Sequence, residues 1–417
     1  MNTIFRLTLN TCLTLLLTAV IFAEEGEQWQ QFRGPHRNGI ASSAGIKTAW
    51  SGEAPHQLFR KEIGQGFSGI SVAGDAFYTM FATEGDSTEY LVAYSREDAA
   101  EKWRYPVGKM FVDQFGNGPR STVTIDGDRL YALGSTGTLH ALDRQSGKAL
   151  WTVSFPEQFE AQVPQRGFSM SPLVDGEQLI IETGGYSERT DSTRILKNHI
   201  ASFEKKSGKL RWQYDLDPGF AGYSSPFILT FAGVRQYVFV TSRKVFGLST
   251  TGRKLWETDA APFTVGMPVQ VGEDRLFIAA ADDAGCKMIR LFRQGDSIAV
   301  ETLWSNRNMR NHFNSSLYQN GCIFGFNNAT LTCLDAGGGE VKWRMGGLGK
   351  GSLIATENHL IIISDTGKAV IAEASGEAYR EVGSFQALAG KSWTSPTLVD
   401  GRLYCRNLTE MTCYDLK

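Results

Sequence analysis

An excess of charge of either sign is missing from this 417-residue chain, in which 42 Lys and Arg face 44 Asp and Glu for a net charge of −2. No basic surplus draws it to nucleic acid, and no block of like charge marks a solvated tail. Long helix-period apolar patterns are absent as well, which argues against an α-helical body. Beyond residue 23 no apolar run approaches the roughly 20 residues that a spanning helix needs, so the mature chain is expected to carry no transmembrane segment. The six histidines (His36, His56, His140, His199, His312 and His359) lack metal-ligand spacing. Neither a GxSxG elbow, an HExxH pair nor a CxxCH haem-attachment run occurs. Residues 64–69 (GQGFSG) fit GxGxxG, but they lead into a strand pattern and not a helix, so the phosphate-cradling geometry is lacking.

The one long apolar run lies at the start. Residues 1–23 carry a single basic residue (Arg6), an apolar stretch over 13–22, and the small Ala23 before Glu24 and Glu25. That is the pattern of a cleaved secretory leader, and it predicts an exported mature chain, in the periplasm or another extracytoplasmic compartment. Cys12 sits too early, in the context LNTC, to be a lipid-attachment site. Five cysteines remain after the leader (Cys286, Cys322, Cys333, Cys405 and Cys413), so at least one is unpaired within the chain. Cys405 and Cys413 flank the last hairpin; they could form a cross-strand disulfide or stay as buried thiols, and the thiol reading is preferred.

What the sequence does contain is a repeat. Residues 141–151, ALDRQSGKALW, read as a strand end, a tight turn and the start of the next strand. Asp143 can bond the turn backbone, Gly147 supplies a positive-φ position, and Trp151 is large enough to wedge between sheets. Related runs end at Trp103, Trp212 (with Gly208), Trp256 (with Gly252), Trp304 and Trp343 (with Asp335), at spacings of 48, 61, 44, 48 and 39 residues. Units of strand and turn at this period predict an all-β, eight-bladed β-propeller of four-stranded antiparallel blades. Seven blades is the runner-up, because the unit around residues 352–384 has no Trp.

The two ends are complementary. Residues 57–64 resemble the outer strand that follows each turn motif, and residues 399–417 stop where such a strand should begin. The N-terminal strand is therefore expected to complete the last blade and close the ring, removing open edges. This divides the chain into a leader (1–23), an irregular segment (24–46) lying across the body, and the propeller (47–417). Inner strands are expected to begin near Phe67, Arg120, Ser169, Tyr223, Val265, Asn314, Gly351 and Trp393. Their SSP-like runs, such as residues 170–172 and 224–226, suit a crowded axis where hydroxyls satisfy backbone groups.

At AxDxxSGKxxW, carried by Ala141, Asp143, Ser146, Gly147, Lys148 and Trp151, the chain resembles the pyrroloquinoline-quinone (PQQ) repeat family. The element WxQFRGPxxxG (Trp29, Gln31, Phe32, Arg33, Gly34, Pro35 and Gly39) resembles exported PQQ-like propellers of planctomycete-type bacteria. The family spans eight-bladed quinoprotein alcohol dehydrogenases and a non-enzymatic lipoprotein of the outer-membrane assembly machinery. The dehydrogenases imply PQQ held under an adjacent Cys-Cys disulfide and beside a calcium ion. This sequence has no Cys-Cys pair, and Asp113, Asp215, Asp217, Asp282 and Asp283 form no ligand run for calcium. No cofactor is therefore expected; PQQ with calcium is the alternative, in a dehydrogenase.

Every irregular insertion falls on one face of the expected propeller, at residues 82–89, 106–119, 155–167, 184–199, 281–287 and 306–314. Loops that vary on a rigid scaffold are where binding usually sits. Around that mouth the sequence places Phe67, Arg120, Arg166, Tyr223, His312, Asn314, Lys350, Lys391 and Trp393, a set that suits an anionic group, a glycan or a peptide. The alternative for the cations is pairing with Asp113, Glu157 or Glu160. The expected function is a monomeric binding or assembly scaffold of the cell envelope for a protein or an extracellular polymer. A carbohydrate- or polyanion-binding propeller is the further alternative.

Overall fold

A computed structural model of the chain describes residues 28–42, 45–48, 54–184, 198–216, 222–241, 243–261, 264–281 and 284–417. The leader at 1–23, most of the 184–199 insertion, and Asp217, Asp282 and Asp283 lie outside the described residues. Among the described residues are eight four-stranded sheets, each antiparallel and each built of consecutive strands except the last. Numbered along the chain, blades 1 to 8 have inner strands Ser71–Ala73, Thr124–Asp126, Leu173–Asp175, Phe227–Phe231, Val269–Val271, Leu317–Gln319, Ser352–Ala355 and Thr397–Val399. In blade 8 the outer strand is His56–Glu62, which pairs with Glu410–Asp415. The eight-bladed ring closed by its N-terminal strand is the architecture of the protein, and the unit without Trp is a full blade. One helix, Phe155–Phe159, interrupts a loop on the mouth face. No helix among the described residues is long and apolar enough to cross a membrane.

The repeat motif is a joint between blades. Gly147 has φ 68°, and a Cβ there would sit 2.5 Å from the ring of Trp103 in the preceding blade. Trp151 lies in the same way under Gly208, Trp212 under Gly252 and Trp304 under Gly339. The indole N–H groups of Trp151, Trp212, Trp304 and Trp343 donate to Lys205, Thr250, Ala336 and Ser375 carbonyls at 3.1, 3.2, 3.3 and 2.8 Å, each in the turn of the next blade. Trp256 instead donates to Gln236 of its own blade. Asp143 Oδ1 accepts from the Ser146 N–H at 2.8 Å, and Asp335 Oδ2 caps Gly337 and Gly338 at 2.8 and 2.9 Å. The shared geometry of these four turns thus follows from a bulky ring and a missing side chain meeting across a blade boundary.

The ladder of each inner strand begins one to four residues later than the sequence pattern suggests. Near the axis the blades converge, and polar groups bond sideways to the neighbouring blade in place of a ladder. Thr122 Oγ1 accepts from Gly69 N at 3.1 Å, Ser171 Oγ from Thr122 N at 2.9 Å, Ser225 Oγ from Ser171 N at 2.9 Å, and Ser315 Oγ from Met267 N at 2.8 Å. Four of these hydroxyls therefore tie neighbouring blades together near the axis.

The segment 24–46 does more than lie across the body. Its described part, residues 28–42, enters the axial channel at the turn end. Trp29 pairs with Val72 of blade 1, Gln30 O accepts from Ile125 N of blade 2, and Ala41 N donates to Ala355 O of blade 7. Arg37 reaches the Ser171 and Pro172 carbonyls of blade 3 and the Pro226 carbonyl of blade 4. Arg33 donates to the Ser315 and Ser316 carbonyls of blade 6 at 3.2 and 2.8 Å. Both arginines have positive φ, 62° and 54°, a tight double bend that aims them to opposite sides of the ring. At the closing seam Arg406 is buried and binds Thr79 Oγ1, Met80 O and Gly66 O of blade 1 and its entry segment. The five described cysteines are free and buried. Cys405 is paired with Thr412, and Cys413 with Tyr404, so the two thiols project from opposite faces of the hairpin.

Candidate functional site

Because the N-terminal segment closes the turn end, the mouth opens into a blind funnel of about 480 Å³ whose floor is Trp29, Phe32 and Arg33. Of the nine mouth residues expected from the sequence, Phe67, Arg120, Arg166, Tyr223, His312, Asn314 and Trp393 line it together. Lys391 sits on the rim, its Nζ 4.3 Å above the Trp393 ring. Lys350 does not line the funnel; it lies in the connection between blades 6 and 7, outside the converging inner segments.

The centre of the funnel is aromatic. Trp393 has Phe313 at 4.7 Å, Phe67 at 6.0 Å and Phe115 at 6.3 Å between ring centroids. Phe115 is 41% exposed and Val112, on the same loop, 62%. The loop that presents them is held from below. Glu89, buried, accepts from Phe111 N at 3.2 Å and Ser135 N at 2.9 Å, and burial raises its carboxyl pKa against those two bonds. Asp113 Oδ1 then accepts from Phe115 N at 2.8 Å, fixing that ring over the mouth. Apolar rings held this rigidly lose little entropy when a partner covers them.

The cations are largely committed within the protein. Arg166 Nη1 is 3.0 Å from Asp113 Oδ2, and Arg120 Nη2 is 3.8 Å from Oδ1. Arg120 also donates to the Gly116 and Gly118 carbonyls and lies 5.5 Å from the Phe67 ring and 5.1 Å from Phe111; burial lowers its pKa. Arg166 lies 4.7 Å over Phe115. Tyr223 accepts from Arg166 N at 3.2 Å through its hydroxyl, and burial raises its pKa. Asn314 Nδ2 donates to Gly351 O at 2.7 Å. Of the acids weighed as partners for these cations, Asp113 takes the part for Arg120 and Arg166.

Sequence reasoning missed Phe115 and Phe313. Both sit in insertions outside the repeat, where no recurring position marks them. The signal available was an aromatic in each long mouth loop.

Residues 87–343 match the family described as outer membrane protein assembly factor BamB. The chain belongs to that family. No curated protein matches the sequence. BamB from Moraxella catarrhalis shares the fold at 17% identity, with a TM-score of 0.60 over 88% of this chain and 98% of that one. A europium-containing methanol dehydrogenase is similar at 11% identity and a TM-score of 0.65, over 91% and 89%. The quinohemoprotein alcohol dehydrogenase from Comamonas testosteroni follows at 12% and 0.64, over 94% and 80%. These likenesses carry the fold. For the quinone and calcium that the dehydrogenase branch implies, the donor set is what matters. Among the described residues the funnel's one carboxylate is Asp113, already shared by two arginines. Asp215 is tied to His199 Nδ1 at 2.8 Å. A calcium ion wants six to eight oxygens, and the described residues do not offer them.

Proposed function

We propose that this BamB-family propeller is an exported, non-catalytic scaffold of the cell envelope that holds a partner protein at its mouth. The observation that carries the reading is the rigid aromatic centre, Trp393 with Phe67, Phe115 and Phe313, ringed by cations that Asp113 has already neutralised in part. Such a centre suits an apolar or aromatic segment of a protein better than a polyanion, and exposed Val112 extends it with surface a sugar would not use. Aromatic and Arg side chains at the middle of a patch usually dominate binding energy.

The test is capture of the native partner from envelope extract, identified by mass spectrometry. Trp393→Ala or Arg166→Ala should weaken it by roughly 1 kcal/mol or more. Lys148→Ala and Lys209→Ala, on the turn face, should leave it unchanged. Loss of the partner from the turn-face variants with retention by the mouth variants would overturn the reading. Elution by free oligosaccharide would move it to the carbohydrate alternative. Dye reduction with alcohol or sugar after adding PQQ and calcium would move it to the dehydrogenase.

A further inference from the structure

The mouth funnel has a charge pattern as well as an aromatic one. Arg120, Arg166 and Lys391 stand at its opening, and among the described residues Asp113 is the one carboxylate in its lining. The Asp113 side chain has no exposed surface and gives its charge to Arg120 and Arg166. Lys391 has no acid beside it: its Nζ donates to Phe115 O at 3.1 Å and lies over the Trp393 ring. Three cations against one carboxylate leave a positive surplus at the opening.

The donors that remain lie against the rings. The Arg166 side chain is 32% exposed. Its Nη1 takes Asp113, while Nε and Nη2 make no hydrogen bond among the described residues. Its guanidinium lies 4.7 Å from the centre of Phe115, and Lys391 Nζ lies 4.3 Å from that of Trp393. The funnel these rings flank is also lined by Phe313 and Phe67, and it ends on Trp29 and Phe32. A blind cavity of about 480 Å³ has the size of a site for one compact group. An extended chain crossing the rim can therefore send a single side chain down.

We propose that the partner enters as an extended peptide segment bearing one aromatic side chain flanked by carboxylates. The ring fills the funnel beside Trp393 and Phe313, and the carboxylates meet Arg166 Nη2 and Lys391. This rests on the reading of the mouth as the protein-binding face. Complementary charge selects the flanking residues, and the buried ring supplies most of the affinity.

The experiment is isothermal titration of the full chain with the peptide acetyl-GSEWESG-amide, against acetyl-GSEAESG-amide, acetyl-GSKWKSG-amide and free indole-3-acetate. One saturable site for the first peptide is expected. Replacing its Trp by Ala, or both Glu by Lys, should weaken binding about tenfold. Raising sodium chloride from about 50 to about 500 mM should weaken it about threefold. Trp393→Ala should abolish it; where that variant does not fold, Lys391→Glu decides, because residue 391 is exposed. Lys391→Glu should weaken the Glu peptide and strengthen the Lys peptide at an unchanged melting temperature, an exchange that damage to the fold would not produce. Lys209→Ala, on the turn face, should bind as the parent does. Equal binding of the Glu and Lys peptides, or of the Trp and Ala peptides, overturns the proposal. So does indole-3-acetate binding as tightly as the peptide, which would give the funnel to a small molecule. Absence of any peptide binding overturns it as well; if Trp393→Ala nonetheless loses the native partner, the scaffold reading stands without it.

Discussion

The two ends of the propeller are built on different terms. At the turn end short regular loops repeat one motif, with Trp103, Trp151, Trp212 and Trp304 each locked under a glycine of the next blade, and the N-terminal segment bolts the axis. At the mouth end the loops vary in length, the apolar rings face outward, and the cations share a buried carboxylate. One end holds the ring together; the other presents a surface. The contrast teaches that similar residue types do opposite work according to their partners: Arg120 and Arg166 are balanced by Asp113, whereas Arg33 and Arg37 are spent on carbonyls.

The sharpest way to break this contrast is to open the ring. Deleting residues 1–64 removes the axial segment and the closing strand His56–Glu62, exposing two strand edges. The product should aggregate. Deleting only 1–45 keeps that strand and should give a soluble protein with a lowered melting temperature. Equal melting of both and the intact chain would refute the closure account.

Acid should act next, on the mouth side. His140 is buried, its Nε2 bonded to Val107 O at 2.9 Å, and burial lowers its pKa to about 4. The unfolded imidazole titrates near 6.5, so between those values the unfolded chain binds more protons. Its neutral form therefore gives full stability above pH 6.5, lost as pH falls toward 4, by an amount of order 3 kcal/mol. Glu182, raised to about 8 by burial, works in the opposite sense from 4.5 to 8, so the comparison must be between variants. Melting curves of His140→Gln should be flatter with pH than those of the parent from pH 7 to 4.5. Parallel curves would remove His140 from the account.

At the turn end, Gly147→Ala should lower stability by about 2–3 kcal/mol, strain at positive φ plus a clash with Trp103. Gly127→Ala, with φ 57° and open space around it, should cost only about 1 kcal/mol, the strain alone. Denaturant unfolding measures both, and equal losses would show that the Trp–Gly joint is not tight. The smallest effect belongs to the rim. Lys391→Ala removes a partly exposed cation–π contact and should weaken partner capture by about 0.5 kcal/mol with no change in melting.

Much of this was legible in the sequence because the repeat encodes contact directly. The spacing of Trp151 and its copies gives the blade, and the mismatch between the chain's two ends gives the closing strand. Inner-segment starts placed Phe67, Arg120, Tyr223 and Trp393 around one axis, since blades of equal length must present equivalent positions there. What escaped lies outside the period. FRGPHR shows turn chemistry, but nothing local says that its arginines reach carbonyls 134 to 283 positions away. Phe115 and Phe313 meet Trp393 only because two unrelated loops fold over the same opening. Lys350 failed for the converse reason: being cationic and near a blade junction does not put a side chain at the axis.

The pairing of His56–Glu62 with Glu410–Asp415 also governs timing. Arg60 meets Glu410 across 350 positions of chain, so the last strand to be made completes a sheet with the first. Contacts of such long range slow folding, because the closing entropy comes before the reward. Until residue 415 has emerged, a growing chain exposes an unsealed seam and an axis that its own early segment cannot yet grip on every side. A helper that shields that seam during synthesis would matter more for this protein than one that acts on the finished ring.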